Sequence, residues 1–336
     1  MGNNSFGIDL GTSNIKIYSR NEDSVMVEKN MIAIENKDTL FAYGNSAFEM
    51  YEKAPGYIHI SYPLSNGVIA DIKHMETLIR YFIGNICKNN IKPADYYIAV
   101  PTDVTDVERR AFYDLVSDAN IKAKRVMIVE KAVADGLGMD IDVKNSQGVL
   151  VVNVGYDTTE ISILSLGGIV LSRLIKVGGQ KFDDAIRAAV RREFSLIIGG
   201  KTAENVKISL KDLEKAGKSA VVYGRDIVTG LPVEREIPTP LVDESLTEHF
   251  NTIIDNVKVI LERTPPELAA DIYRHGLYLT GGAAQVNHLA ELLSSGTGLK
   301  VQLSDNPMSS VALGLAKVIR EENYKSVAYA VEGMGK

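Results

Sequence analysis

The apolar and polar positions of the chain form two similar hairpins about 140 residues apart. Each is an apolar run, a turn rich in glycine and hydroxyl groups, and a second apolar run: Phe6–Tyr18 (FGIDLGTSNIKIY) and Val149–Leu164 (VLVVNVGYDTTEISIL). Glycine lets a backbone approach an anion closely, and successive turn N–H groups can cradle phosphate oxygens. An acid at the end of a buried strand, such as Asp9, suits a hydrated Mg²⁺. The pair predicts two like domains that close on one phosphate chain.

Between the hairpins the pattern alternates between strands and helices, which predicts an α/β domain. Strands are predicted at Ser24–Ile34, Thr39–Tyr43, Asp95–Val100 and Arg125–Val129. Helices are predicted at Gly44–Tyr51, Lys73–Cys87, Thr105–Ala119 and Lys131–Gly138, with an extended connector at Pro55–Pro63. Thr105 followed three residues later by Glu108 is the pattern of a capping box.

The second half repeats this plan. Helices are predicted at Lys181–Phe194, Gly199–Lys218, Thr247–Arg263, Val286–Leu293 and Ser309–Glu322. A small two-stranded insertion is predicted at Ser219–Pro238, and the pair Pro265-Pro266 is expected to end the preceding helix.

Composition narrows the class of protein. The chain of 336 residues is long enough for two domains, and its net charge of −6 argues against a nucleic-acid partner. A single cysteine, Cys87, excludes an internal disulfide and fits a reducing compartment. Neither a signal peptide nor a long apolar run is evident, so we expect a cytoplasmic protein. The spacing of the five histidines predicts no histidine metal site.

With these elements in order, the chain resembles the actin–hexokinase–chaperone ATPase superfamily and, within it, the MreB-type bacterial actins. The segments that carry the resemblance are FGIDLGTSN, YPLSNGVIADIKHMETLIRYFI, VPTDVTDVERRAF, TTEISILSLGGIVLSRLIKVGG, KTAENVKI, GRDIVTGLP, ERTPPELAADIYRHGLYLTGG and NPMSSVALGLAKV. The resemblance implies an α/β protein with an actin-like fold. It would have two lobes, each with a core subdomain (a mixed five-stranded sheet with helices) and a small inserted subdomain.

The resemblance also implies subdomain boundaries. The first core subdomain would comprise 1–32, 75–144 and 315–336, and the first small subdomain 33–74. The second core subdomain would comprise 145–180 and 245–314, and the second small subdomain 181–244.

By resemblance, ATP and Mg²⁺ would lie in the cleft between the lobes. The residues implied to contact the nucleotide are Asp9, Gly11, Thr12, Ser13, Asn14, Gly155, Asp157, Thr158, Thr159, Gly178, Glu204, Lys207, Gly281, Gly282 and Ala283. Asp9 and Asn153 would hold the metal through water, and Thr158 would lie beside the attacking water.

The second phosphate loop departs from the family pattern of an acid, a hydrophobe, three glycines and two threonines. Asn153 replaces the acid that helps to hold the metal, so one negative charge is lost there. Tyr156 places a ring where the backbone should approach phosphate, and Asp157 places a carboxylate near an anion. Two unit charges ~4 Å apart repel by ~1 to 4 kcal/mol, depending on solvation.

The second departure lies at the position of the general base. The family has two consecutive glutamates, of which the second activates the hydrolytic water, whereas this chain has Glu130 and Lys131. A protonated lysine cannot accept a proton, so we expect Lys131 to pair with phosphate or with Asp157, or else to point to solvent. Glu130 is the alternative base.

These departures leave three functions open. The chain is expected to be a filament-forming scaffold of cell shape and cell-wall synthesis that binds ATP with slow or absent hydrolysis. The alternatives are an active ATP-hydrolysing dynamic filament and a nucleotide-free pseudo-actin that regulates a normal paralogue.

Partners implied by the resemblance are further copies of the chain in a protofilament, a paralogous bacterial actin, and the cell-wall elongation machinery with its membrane adaptors. Contact with the inner face of the cell membrane is expected to be weak or indirect. The start MGNNS shows no amphipathic helix, and the loop Lys88–Pro93 offers only Ile91 as an apolar tip.

Overall fold

Residues 4–330 are described by a computed structural model. The strands are β1 (Ser5–Leu10), β2 (Asn14–Ser19), β3 (Ser24–Lys29), β4 (Ile32–Glu35), β5 (Thr39–Tyr43), β6 (Ile58–Ser61), β7 (Leu64–Ser65), β8 (Val68–Ile69), β9 (Ala94–Val100), β10 (Ala123–Glu130), β11 (Val149–Val154), β12 (Thr159–Ser165), β13 (Gly168–Ile175), β14 (Leu196–Ile197), β15 (Ala220–Asp226), β16 (Pro232–Ile237), β17 (Leu277–Thr280), β18 (Val301–Leu303) and β19 (Ala328–Tyr329).

The α-helices are α1 (Gly44–Met50), α2 (Ile72–Ile86), α3 (Asp106–Asp118), α4 (Lys131–Gly138), α5 (Gly179–Phe194), α6 (Gly200–Lys215), α7 (Thr239–Glu262), α8 (Pro266–His275), α9 (Leu289–Thr297) and α10 (Ser310–Arg320). A 3₁₀ helix covers Glu322–Val327. The chain start Met1–Asn3 and the last six residues, 331–336, lie outside the described residues. The prediction for the MGNNS start and the outer ends of the first core subdomain, predicted as 1–32 and 315–336, fall partly there.

Two mixed sheets form the centres of two lobes. The first sheet has the strand order β19-β10-β9-β1-β2-β3, and the second has the order β13-β12-β11-β17-β18. In both sheets an antiparallel three-stranded meander (β1-β2-β3 or β11-β12-β13) is extended by parallel strands. We call the part built on the first sheet the first lobe and the part built on the second sheet the second lobe.

Each lobe also carries a small sheet. The order β5-β4-β6 lies in the first lobe together with the short hairpin β7-β8, and the order β14-β15-β16 lies in the second lobe. The subdomain boundaries drawn from the sequence stay a prediction, since sheet membership alone does not delimit them.

The lobes meet at two crossing helices, α4 and α10. The pair packs closely because each helix presents a glycine to the backbone of the other. A Cβ on Gly138 would lie 1.8 Å from the Ser310 carbonyl oxygen, and one on Gly314 would lie 1.8 Å from the Ala134 carbonyl oxygen. Around them a buried apolar cluster contains Ala99 and Val129 of the first sheet and Val151 of the second. This contact brings the two hairpin turns to the same cleft.

Some element ends follow a local signal in the sequence, and others differ from the prediction. Thr105 and Glu108 form the predicted capping box at the start of α3. The segment Ser24–Ile34, predicted as one strand, is two strands in different sheets, because the chain turns at the buried Asn30. The connector Pro55–Pro63 contains strand β6, and Pro266 begins α8 rather than only ending α7. Helix α7 begins eight residues before the predicted Thr247, at Thr239.

Candidate functional site

The two hairpin turns face one cleft between the lobes, with about 1030 Å³ of space, part of it open to solvent. Most of the predicted site residues line it. They are Asp9, Gly11, Thr12, Ser13, Asn14, Lys131, Asn153, Gly155, Asp157, Thr158, Glu204, Lys207, Gly281, Gly282 and Ala283. The cleft therefore brings together residues from five separate stretches of the chain.

The two turns are built in the same way. The Gly11 N–H donates to the Asn14 carbonyl at 3.1 Å, and the Gly155 N–H donates to the Thr158 carbonyl at 2.9 Å. A Cβ on Gly11 would lie 2.8 Å from the Asn14 carbonyl oxygen, so this turn closes only around glycine. The turns are thus equivalent backbone cradles on opposite sides of the cleft.

The strands on the two sides of each turn carry different charges at equivalent positions of the two hairpins. Asp9 on β1 lies opposite Lys16 on β2, and Asn153 on β11 lies opposite Glu160 on β12. Lys16 forms an ion pair with the buried Asp9 at 3.0 Å. Lys16 lines the cleft, and the sequence interpretation did not single it out.

Asn153 belongs to a buried polar network that reaches between the lobes. Its side-chain amide donates to Asp135 Oδ2 on α4 at 2.6 Å, and the Ser310 hydroxyl at the start of α10 donates to Asp135 Oδ1 at 2.6 Å. Thr280 shares a hydrogen bond of 2.6 Å with Ser310. Burial raises the pKa of Asp135 to about 7, although Lys131 and the two hydrogen bonds oppose that rise. Asn153 thus replaces the acid of the family pattern, but the carboxyl group of Asp135 lies within hydrogen-bond distance of it.

Lys131 forms an ion pair with Glu160 at 2.6 Å, and both side chains are largely buried. This corrects the expectations that it pairs with Asp157 or points to solvent, while pairing with phosphate stays a prediction. Burial lowers the pKa of Lys131, but Glu160, followed by Asp9 and Asp135, outweighs burial and the pKa is raised. Lys131 is therefore a fixed cation at the bottom of the cleft.

Tyr156 and Asp157 of the second turn contact the first lobe. Asp157 Oδ2 accepts from the Asn66 backbone N–H at 2.8 Å, while its buried Oδ1 has no hydrogen-bond partner. The Tyr156 ring lies 5.8 Å from the Tyr62 ring, centroid to centroid. Burial, followed by Tyr62, raises the pKa of Tyr156, so its hydroxyl stays neutral.

Helix α6 of the second lobe supplies two further polar side chains to the cleft. Lys207 forms a buried ion pair with Asp183 of α5 at 2.7 Å and donates to the Gly179 carbonyl at 3.2 Å. Glu204, one helical turn before Lys207, also lines the cleft. The backbone of Gly281 has φ +97, and a Cβ there would lie 2.3 Å from the Val154 carbonyl oxygen. Only glycine fits this turn against the second phosphate loop.

Three predicted site residues do not line the cleft. Thr159 is fully buried and donates to the Val177 carbonyl at 2.8 Å, and Gly178 packs against the backbone of the second turn. Glu130 accepts from Arg109 and from Tyr329, each at 2.6 Å. This placement speaks against Glu130 as the general base.

Two features outside the cleft bear on other expectations. His288, Glu214 and Asp243 place ligand atoms within 4.8 Å of one another, an arrangement that histidine spacing did not indicate. His288 Nε2 lies 3.0 Å from Glu214 Oε2, so these two side chains also contact each other directly. Ile91 packs against the core of the first lobe instead of forming an exposed tip. Within residues 4–330, no helix combines the length and apolar character needed to cross a membrane.

Two lobes joined at crossing helices, with equivalent hairpin turns facing one cleft, define an actin-like protein. The sequence profile described as MreB/Mbl protein matches residues 3–327. The cell shape-determining protein Mbl of Bacillus subtilis is 35% identical over 312 residues, covering 92% of this chain and 93% of Mbl. The cell shape-determining protein MreB of Escherichia coli K12 is 34% identical over 328 residues, covering 95% and 94%.

Among solved structures, MreB5 of Spiroplasma citri bound to AMPPNP superposes with a TM-score of 0.89 at 34% identity, covering 97% of this chain and 98% of MreB5. The chain belongs to the MreB/Mbl family. It is an actin-like cytoskeletal protein, which confirms the family and the actin-like fold predicted from the sequence. The predicted five-stranded sheet is found in the second lobe, whereas the sheet of the first lobe has six strands because β19 joins it.

Proposed function

We propose that this chain binds ATP with Mg²⁺ in the interlobe cleft, hydrolyses it slowly or not at all, and assembles into filaments. The observation that carries the proposal is the Lys131–Glu160 ion pair, which replaces a proton acceptor with a fixed cation. Support for nucleotide binding comes from MreB5, whose solved structures contain AMPPNP or ADP.

The residues of the cleft fit a triphosphate. The Gly11 and Gly155 turns bring backbone within reach of phosphate oxygens from both lobes, and Lys16 and Lys131 supply positive charge there. Glu204 and Lys207 would contact the ribose and base side, beside the Gly281 turn.

Oxygen donors for a hydrated Mg²⁺ are also present. Asp9 is 2% exposed and Asn153 is 6% exposed, both at strand ends that line the cleft, with Asp135 behind Asn153. When bound, Mg²⁺ would neutralise phosphate charge. Asp9 would hold its water, and Asn153 would offer a neutral carbonyl oxygen held in place by its bond to Asp135.

Hydrolysis needs a group that accepts a proton from the attacking water. Lys131 cannot do so, because three carboxylates around it favour its ammonium form. Thr158 lines the cleft and can orient water, but a hydroxyl is a poor base. Glu130 is engaged elsewhere by Arg109 and Tyr329. These placements support an ATPase that is slow or absent.

As an MreB/Mbl relative, the chain is proposed to act in cell shape as a protofilament of its own copies, or together with a paralogous bacterial actin. Contact with the cell-wall elongation machinery and its adaptors, at the inner face of the cell membrane, belongs to the same proposal. Because Ile91 packs on the core, such contact would be indirect.

A second candidate, a nucleotide-free pseudo-actin, is favoured by one feature, the unpartnered Asp157 Oδ1 in the second phosphate loop. A carboxylate there would repel phosphate. Calorimetry of the purified chain with ATP and Mg²⁺, followed by phosphate release on the same sample, separates these functions. Binding without release supports the proposal. No binding, restored by Asp157→Gly, supports the pseudo-actin, and ordinary release contradicts both.

A further inference from the structure

We propose that Lys131 and Glu160 form an interlobe latch, an ion pair that holds the cleft closed independently of nucleotide. The latch concerns the same cleft as the proposed function, but its existence does not require that ATP binds.

Glu160 needs a counter-ion from the other lobe because of its place in the second hairpin. In the first hairpin, Asp9 and Lys16 lie opposite each other and neutralise each other within one lobe. At the equivalent place in the second hairpin, Glu160 lies opposite the neutral Asn153. Glu160 is 3% exposed, and a buried carboxylate without a partner is costly.

Within residues 4–330, three hydrogen bonds reach this carboxylate, and the first lobe donates all of them. Lys131, which directly follows β10, donates to Oε1 at 2.6 Å. Thr102, in the loop that follows β9, donates to Oε2 from its backbone N–H at 3.1 Å and from its hydroxyl at 3.3 Å. Opening the cleft would break these three bonds together and separate the two charges.

The sign of the charge at position 131 decides whether closure is favourable. A glutamate there would oppose Glu160 and would also lie near Asp9 and Asp135, so the lobes would repel unless a cation intervened. Lysine reverses that interaction. Because the pair is largely buried, salt screens it much less than a surface pair.

Further contacts above the ion pair join the same two lobes. The Asn66 N–H donates to Asp157 Oδ2 at 2.8 Å. The Glu52 carboxylate of the first lobe accepts from the Gly200 N–H of the second lobe at 2.9 and 3.2 Å, at the positive N-terminal end of α6. Closure is thus supported by three separate contacts between the lobes. In such a protein, nucleotide binding would cause little further closure.

The test is the distance between the two small sheets, measured by pulsed electron paramagnetic resonance on the full chain. Spin labels at Tyr57→Cys and Val228→Cys, which are 59% and 84% exposed, report on the two sides when Cys87 is changed to serine. Each protein is measured without nucleotide and again with AMPPNP and Mg²⁺. Calorimetry on the same samples records separately whether AMPPNP binds.

We expect the unsubstituted cleft to give one narrow distance distribution that is the same in both conditions. Lys131→Met should lengthen or broaden the distribution without nucleotide. Lys16→Met is the matched control, since it removes a similarly buried cation of the same cleft whose ion pair lies within one lobe, and it should leave the distance unchanged. If Lys131→Met does not fold, Glu160→Gln carries the test, because it removes the charge and keeps an acceptor for Thr102.

Two results would overturn the latch. One is a broad distribution in the unsubstituted protein that narrows only with AMPPNP. The other is a distribution in folded Lys131→Met, or in Glu160→Gln, that matches the unsubstituted protein. Failure of AMPPNP to bind would count against the proposed function and leave the test of the latch intact.

Discussion

Exchanging the carboxyl and amide groups of Asp135 and Asn153 tests whether the charge in the cleft has been relocated rather than lost. The two side chains are joined by a buried hydrogen bond of 2.6 Å. The double variant Asp135→Asn with Asn153→Asp keeps the volume, the hydrogen bond and the net charge, and it returns the carboxylate to the strand that lines the cleft.

The single variants should be much less stable than the exchange. Asn153→Asp alone places two carboxyl groups 2.6 Å apart, where full ionisation of both would cost about 6 kcal/mol at an effective dielectric constant of ~20. Because such a pair shares a proton instead, we expect a loss of about 2–4 kcal/mol. Asp135→Asn keeps an acceptor for Ser310 but loses a charged hydrogen bond, at a cost of about 1–2 kcal/mol.

The double variant should lie within about 1 kcal/mol of the parent, because the two changes compensate. Urea unfolding, followed by circular dichroism, gives the free energies of unfolding for the double-mutant cycle. Because the chain has no tryptophan, tyrosine fluorescence serves as a second probe. A double variant whose loss equals the sum of the single losses would refute the relocation. The exchange should also strengthen the Mg²⁺ dependence of nucleotide binding, since an ionised ligand replaces a neutral one.

Three other predictions follow from single features. Gly314→Ala should destabilise the chain by about 3 kcal/mol or more, measured by urea unfolding, because its Cβ would lie 1.8 Å from the Ala134 carbonyl oxygen; Gly56→Ala, with no atom within 4 Å, is the neutral control. Burial raises the pKa of Asp183 to about 6, above its unfolded value, so its contribution to stability is present below about pH 4 and is lost as pH rises through about 6. Thermal unfolding of Asp183→Asn should lack this slope, and an unchanged slope would contradict the assignment. Glu130→Gln should leave phosphate release unaltered, whereas a lower rate would reinstate Glu130 as the base.

Much of the fold was predictable because it depends on local patterns. The paired hairpins, the capping box of α3 and the periodicity of α2 are read from neighbouring residues, and they appear where predicted. Element ends that depend on two competing local rules were harder. Pro266 can end one helix or occupy the first turn of the next, and the sequence does not separate these roles.

Most of the residues that line the cleft were predictable from the sequence, but the ion pairs among them were not. Glycine turns and strand ends indicate where phosphate would bind, but the partner of Lys131 lies 29 residues further along the chain, on strand β12. Its identity depends on how β10 and β12 are brought together by α4 and α10. Asp135 was missed because it stands in a run of small and apolar residues typical of a helix core. A charged residue in such a run is a signal that could have identified it.

The most direct test of the central claim is phosphate release by the parent chain with ATP and Mg²⁺ already bound, measured under single-turnover conditions. Bound ATP should persist, because Lys131 holds its proton and pairs with Glu160. Prompt release of phosphate at the rate of an ordinary actin-like ATPase would contradict a slow or absent hydrolysis, since a base other than Lys131 would then have to act in the cleft.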